Sequence, residues 1–352
     1  MPVPTIDGLT LPTTVVGSYA IPSWLWAAYE KIEAGGFGEM DVTETENDAV
    51  DTAIRDQERA GVDVISDGEM RRQGFIVSIF RYFTGLRPLP PRRKVGILSY
   101  DGHTFYEPVD RLGAPEGLGM RKELAYLKEA TARPFKLTCP GPLTLATQIV
   151  KGGPYRDRVE VAADLAGIIN AELRGLAAEG ARHLQLDDVF QSFSMDPKIL
   201  VDLYNRCVEG VKVERLFYHI CFGTLEGFSF SERSYRSLFP AILGVRADQL
   251  VFEFANRELA EIGLWREFDC PKELGAGVID TKSFYIEKPE VVARRIHKLL
   301  EHVPAERLWV NPDCGLARMP RYIALAKLRA MVAGTRMVRE ELAGRRSGPP
   351  SE

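Results

Sequence analysis

Eight short apolar runs recur along the chain, separated by longer stretches with helical periodicity. They are residues 14–18 (TVVGS), 62–67 (VDVISD), 135–139 (FKLTC), 183–187 (HLQLD), 216–221 (LFYHIC), 249–254 (QLVFEF), 274–280 (LGAGVID) and 307–313 (RLWVNPD). Runs this apolar suit parallel strands, which helices cover on both faces. The intervening helices carry their own punctuation. Residues 45–60 and 158–179 each stop at a glycine, Gly61 and Gly180. Residues 197–210, 289–302 and 320–333 each open on a proline, where a helix has no use for the missing N–H.

Eight strand–helix pairs predict an α/β fold, a closed (β/α)8 TIM barrel. An open doubly wound sheet is the competing architecture, but the Gly-rich GxGxxG phosphate turn is absent. The chain has 352 residues, more than the roughly 250 of a plain barrel. The excess is expected in a hairpin-like excursion over residues 85–119, after the second βα unit and beside the barrel mouth. One barrel domain is expected over residues 1–340, with a disordered tail at 341–352. Composition narrows the classes further. An apolar content of 45% with 27% charged residues suits a soluble globular chain. A net charge of -4 gives no general attraction to nucleic acid or to an acidic membrane. No apolar run approaches the ~20 residues of a membrane span, and the N-terminus lacks a signal-peptide pattern, so a cytoplasmic protein is expected. Five cysteines are too few for a disulfide scaffold and read as free thiols or metal ligands.

In such a barrel the site lies at the C-terminal ends of the strands. The polar residues expected there are Gly17-Ser18, Asp67-Gly68-Glu69, Asp187-Asp188, His219 with Cys221, Glu253, Asp280 with Lys282, and Asn311, Asp313 and Cys314. His219 and Cys221 stand two apart on one strand, so their side chains share a face. Alone, an HxC pair reads as core packing. Cys314 in NPDCG, three strands later, turns the reading to metal: two thiolates, an imidazole and the Glu253 carboxylate make a zinc set. Cys139, Cys207 and Cys270 read as ordinary small residues, Cys139 being the one near the mouth. Asp187 and Asp188 also have a plain reading as caps of the next helix.

Together, NPDCGL, the HxC strand, the GPLTL turn, VVGS in the first strand and SDGE in the second resemble the cobalamin-independent methionine synthases. The resemblance is to their C-terminal catalytic barrel and its short single-barrel relatives, and covers residues 13 to about 334. It implies zinc held by His219, Cys221, Glu253 and Cys314, with Glu253 the least secure because Glu258 lies close by in FEFANRE. It implies homocysteine as the thiol to be methylated. Ser18 and the adjacent Gly17 backbone would meet its carboxylate, and Glu69 and Asp187 its ammonium.

The sequence departs from the long enzymes on the methyl-donor side. It carries no second barrel, it reads Ala146-Thr147-Gln148 where those enzymes stack the folate on a tryptophan, and Lys282 replaces their strand-seven histidine. Methylcobalamin, or a methylated corrinoid protein as partner, is therefore expected as donor ahead of methyl-tetrahydrofolate. Lys282 also has a plain reading, a salt bridge to Asp280 or Glu287. The competing function is alkyl transfer to coenzyme M, kept open by Arg71 and Arg72 beside Glu69. A uroporphyrinogen-type decarboxylase would leave the HxC and NPDCG residues unexplained. A non-catalytic homocysteine- or corrinoid-binding module is the remaining class.

Overall fold

A computed structural model describes residues 6, 8–72, 76–90, 104–189, 195–223 and 233–346. Six parallel strands follow one another in sheet order: β3 (Leu137–Pro140), β4 (His183–Val189), β5 (Arg215–Cys221), β6 (Gln249–Phe252), β7 (Glu273–Ile279) and β8 (Leu308–Pro312). Three parallel bridges close the ring. Thr13 pairs with Val310 of β8, Thr14 with Val64, and Ile65 with Phe135 just before β3. The first two of the eight expected strands are thus short bridging segments, and the barrel closes through them. The alternation of apolar runs located all eight positions, because a strand buried on both faces cannot be polar without a partner.

Helices wrap the barrel: α1 (Ser23–Glu33), α2 (Glu39–Ala60), α3 (Met120–Ala130), α4 (Pro142–Ala146), α5 (Arg158–Ala178), α6 (Pro197–Cys207), α7 (Leu264–Glu267), α8 (Pro289–Leu300) and α9 (Arg321–Arg346). Their buried faces and the outward strand residues form one large core. Ile6, Val16, Val64, Phe217, Val251 and Trp309 form a second, smaller apolar cluster. No helix among the described residues is long and apolar enough to cross a membrane.

Two expectations need correction. The excursion does not follow the second βα unit; it lies inside it. Its arms are β1 (Thr84–Pro88) and β2 (Tyr106–Gly113), paired antiparallel, and the chain then enters α3 before reaching β3. Residues 91–103 of the excursion lie outside the described residues. An insertion in a βα loop sits on the catalytic face. Accordingly, the Tyr106 N–H donates to the Gln148 carbonyl at 2.8 Å and the Tyr106 carbonyl accepts the Val150 N–H at 2.9 Å, beside the turn that follows α4. The second correction concerns the C-terminus. α9 runs to Arg346, so the tail expected from residue 341 is helical over its first six residues, and residues 347–352 lie outside the described ones. Gly334 does not stop this helix. A Cβ there would meet the Pro289 carbonyl at 2.6 Å and Val292 at 2.7 Å, so the glycine permits close packing of α9 on α8.

Candidate active site

Strand register assembles the site. Asp187 of β4 lies directly opposite His219 of β5, and Val189 opposite Cys221. The His219 Nδ1–H donates to Asp187 Oδ1 at 2.7 Å. The other ring nitrogen, Nε2, is buried and has no hydrogen-bond partner among the described residues. Cys314, in the turn after β8, places its Sγ 3.5 Å from that of Cys221. Ligand atoms of His219, Cys221 and Cys314 all lie within 4.8 Å of one another. All five cysteines are free thiols, and Cys139, buried with its Sγ against the Pro140 carbonyl at 3.5 Å, stands outside this group.

The three side chains fit a metal on chemical grounds. The carboxylate on Nδ1 fixes the tautomer that leaves Nε2 as a ligand. The surroundings also favour positive charge. Burial opposes an imidazolium at His219, yet Asp187 and Cys314 outweigh it and raise the imidazole to about 10. A soft thiolate pair with one imidazole is a zinc-type donor set.

The Glu253 carboxylate is fully buried, and its oxygens are not among the ligand atoms that lie within 4.8 Å of one another. Oε1 accepts the Phe222 N–H at 2.9 Å, while Oε2 accepts Asn256 Nδ2 at 2.7 Å and an ion pair from Lys282 Nζ. Lys282 therefore pairs with Glu253 and not with Asp280 or Glu287; only its backbone N–H reaches Asp280, at 2.8 Å. Asp313 braces this corner by accepting the N–H groups of Phe254, Ala255 and Asn256 at 2.7–2.9 Å. Burial pushes Asp313 up to about 7, and the neighbouring Glu253 adds to the rise. Glu258, the alternative to Glu253, is exposed and caps a short turn in the left-handed region at φ 52°.

A second group of carboxylates meets beside Asp187. Glu69 is buried, and its Oε1 accepts the Thr138 hydroxyl at 2.6 Å, while Arg72 Nη1 stands 3.6 Å away. Burial raises Glu69 to about 8, Arg72 opposes the rise and Asp187 adds to it. Glu69 Oε2 and Asp187 Oδ2 are both buried, without a hydrogen-bond partner among the described residues. Gly17 packs against this pair: a Cβ there would fall 2.5 Å from Glu69 Oε1. Ser18 lies at the metal-ligand end, where its hydroxyl occupies the space a side chain on Gly315 would need. Its carbonyl accepts the Leu316 N–H at 2.8 Å, tying it to the turn that carries Cys314.

Several contributing residues were not singled out from the sequence. Thr138 holds Glu69, Gln185 holds Asp187 at 2.7 Å, and Asn256 holds Glu253 at 2.7 Å. Gln185 stands two before Asp187 on β4, so strand periodicity could have placed both on one face. Asp188 does act as a cap, but of α4: it accepts the Thr144 N–H at 3.0 Å and the Tyr218 hydroxyl at 2.9 Å. The arginines are committed elsewhere. Arg72 makes a bidentate pair with Glu123 at 3.0 and 2.7 Å, and Arg71 bonds Glu46 and Asn47 at 3.2 and 2.5 Å.

The chain is similar to known proteins along nearly its whole length. Residues 11–337 match the family described as "Cobalamin-independent synthase, Catalytic domain". A methionine synthase of Sulfurisphaera tokodaii is 33% identical over 335 residues, covering 94% of each chain. That of Saccharolobus solfataricus is 34% identical over 334 residues, covering 94% of this chain and 96% of its own. Among solved structures, a B12-independent methionine synthase from Shewanella sp. W3-18-1, in complex with selenomethionine, superposes with a TM-score of 0.80. It is 25% identical, and the match covers 96% of this chain and 100% of that one.

Proposed function

Because the chain belongs to the cobalamin-independent methionine synthase family, we propose that it methylates the sulfur of homocysteine to give methionine, and that it does so with zinc at the His219–Cys221–Cys314 cluster. The observation that carries the acceptor assignment is the pair of buried, unpartnered oxygens, Glu69 Oε2 and Asp187 Oδ2, next to that cluster. Two carboxylates in a site of low dielectric want one cation between them, and an α-ammonium supplies it. Coenzyme M has a sulfonate there and no ammonium. The cations it would need, Arg71 and Arg72, are already engaged with Glu46, Asn47 and Glu123. The Shewanella neighbour holds selenomethionine, a product-like amino acid, which supports the same reading.

The roles follow from position. Glu69 and Asp187 hold the ammonium, and Ser18 with the Gly17 backbone faces the carboxylate. This orients the substrate sulfur toward the ligand cluster. Zinc, when bound, supplies Lewis acidity that keeps the substrate sulfur a thiolate near neutral pH. His219, Cys221 and Cys314 hold it, and Asp187 sets the His219 tautomer. Glu253, which accepts from Lys282 and Asn256, stands beside the cluster and would be the further protein group available to the metal.

The proposed acceptor site has a pH signature. Glu69 must be ionised to bind an ammonium, and its folded-state value near 8 means it is largely protonated at pH 7. Binding then displaces a proton, so affinity rises with pH toward 8 and falls by up to ~10-fold per unit below it. Methionine, which has no titrating thiol, should show this slope by calorimetry between about pH 6 and 8. Glu69→Gln should flatten it. An unchanged slope in that variant would place the proton elsewhere.

For the donor, Lys282 bears directly on the choice. A folate nitrogen must be protonated as it leaves, and an ammonium already paired with Glu253 is poorly suited to give that proton. A cobalt leaving group needs none. We therefore propose methylcobalamin, free or on a corrinoid protein, as the preferred donor from solution. The test offers methylcobalamin and methyl-tetrahydrofolate in parallel and measures methionine. Faster turnover with methylcobalamin is expected, and turnover with methyl-tetrahydrofolate alone would reverse the assignment.

A further inference from the structure

Below the two carboxylates lies a lysine that none of the chemistry above uses. Lys136, one residue before β3, is fully buried within the apolar run FKLTC. Its ammonium makes one hydrogen bond among the described residues, to Gln185 Oε1 at 2.5 Å, and stands 5.1 Å from the centre of the Phe217 ring. Gln185 is itself buried, and its Nε2 donates to the Val16 carbonyl and to Asp187 Oδ1, both at 2.7 Å.

This arrangement has only one consistent direction. An ammonium has donors and no acceptor, so it can bond only the oxygen end of the Gln185 amide. The nitrogen end is thereby turned to Val16 O and Asp187 Oδ1. In the reversed amide, three acceptors would face one another and the lysine would face a donor. With Gln185 fixed, Asp187 Oδ1 receives two donors at 2.7 Å, from Gln185 and from His219. Two donors on one oxygen fix the rotation of the carboxylate and leave Oδ2 free of protein partners.

We infer that Lys136 is a positioning residue for the substrate ammonium: through Gln185 it locks the Asp187 carboxylate with Oδ2 presented to the ligand. The inference rests on the reading of Glu69 and Asp187 as the ammonium site. It also gives a polar side chain in the barrel interior a role that an apolar one of similar length would not fill. Burial lowers Lys136 to about 7, with Asp187 and Glu69 pulling the other way. Either protonation state of the amine can still donate to Gln185.

The test compares wild type, Lys136→Met, Gln185→Leu and the double variant, all zinc-loaded. Calorimetry measures binding of methionine and of 4-(methylthio)butanoate, which lacks the ammonium, and thermal melts report folding. Lys136→Met and Gln185→Leu should each weaken methionine by roughly 10-fold or more and leave the des-amino compound within about 2-fold. The double variant should lose no more than Gln185→Leu alone, because both act through one amide. Equal losses for the two ligands, or a lowered melting midpoint with unchanged methionine affinity, would make Lys136 merely structural and overturn the inference. Additive losses in the double variant would also overturn it. Should Lys136→Met not fold, Gln185→Leu and Lys136→Leu carry the same expectations. Wild type that binds both ligands equally would refute the ammonium site itself, and the inference with it.

Discussion

Replacing Cys314 by serine is expected to reduce bound zinc from about one per chain to a small fraction of that, and Cys221→Ser should do the same. These two thiols lie 3.5 Å apart and, with His219, make up the whole group of converging ligand atoms among the described residues. Removing either leaves two ligands, which cannot hold a zinc ion against water. Methyl transfer should fall by roughly three orders of magnitude or more, since activation of the substrate thiol is worth several kcal/mol. Cys139→Ser is the control. Its thiol faces the Pro140 carbonyl outside the cluster, so zinc content should remain unchanged. Metal analysis of the three variants beside wild type checks this. Undiminished zinc in Cys221→Ser and Cys314→Ser would remove the metal assignment.

The other large effect is expected at the carboxylates. Glu69→Gln and Asp187→Asn each remove a charged hydrogen bond to the ammonium, worth about 1.5–3 kcal/mol. That corresponds to roughly 10- to 150-fold in homocysteine KM. The two variants should differ in one respect. Glu69 touches Thr138 and Arg72 but none of the metal ligands, so Glu69→Gln should leave zinc content intact. Asp187 also orients His219, so Asp187→Asn should weaken zinc as well, by about 10–100-fold in affinity. Steady-state kinetics paired with a competing chelator separates these outcomes. Equal zinc affinity in both variants would show that the His219–Asp187 bond does not support the metal.

Much of this architecture is legible in the residues. The eight apolar runs mark the ring because parallel barrel strands tolerate few polar residues. His219, Cys221 and Cys314 are recognisable because thiols and imidazoles at strand ends have few other uses. What escapes the sequence is pairing between loops distant in the chain. The surroundings of Glu253 are one case: Lys282 and Asn256 donate to its carboxylate, and Asp313, from the turn after β8, accepts from Asn256 in turn. The length of α9 escapes for another reason: the helix expected over residues 320–333 continues through Gly334, whose missing side chain permits close packing on α8. Lys136 leaves a mark, a charge inside an apolar strand run, but its purpose depends on which end of Gln185 it meets.

The most direct test of the proposed function offers homocysteine and coenzyme M as alternative acceptors to the zinc-loaded protein with methylcobalamin, and quantifies both methylated products by mass spectrometry. Methionine should form, should cease when a chelator removes the metal, and should exceed methylated coenzyme M by at least about 10-fold, the smallest loss expected when a charged hydrogen bond is missing. Methylation of coenzyme M at an equal or greater rate, or methionine formation that persists after complete removal of zinc, would contradict the assignment.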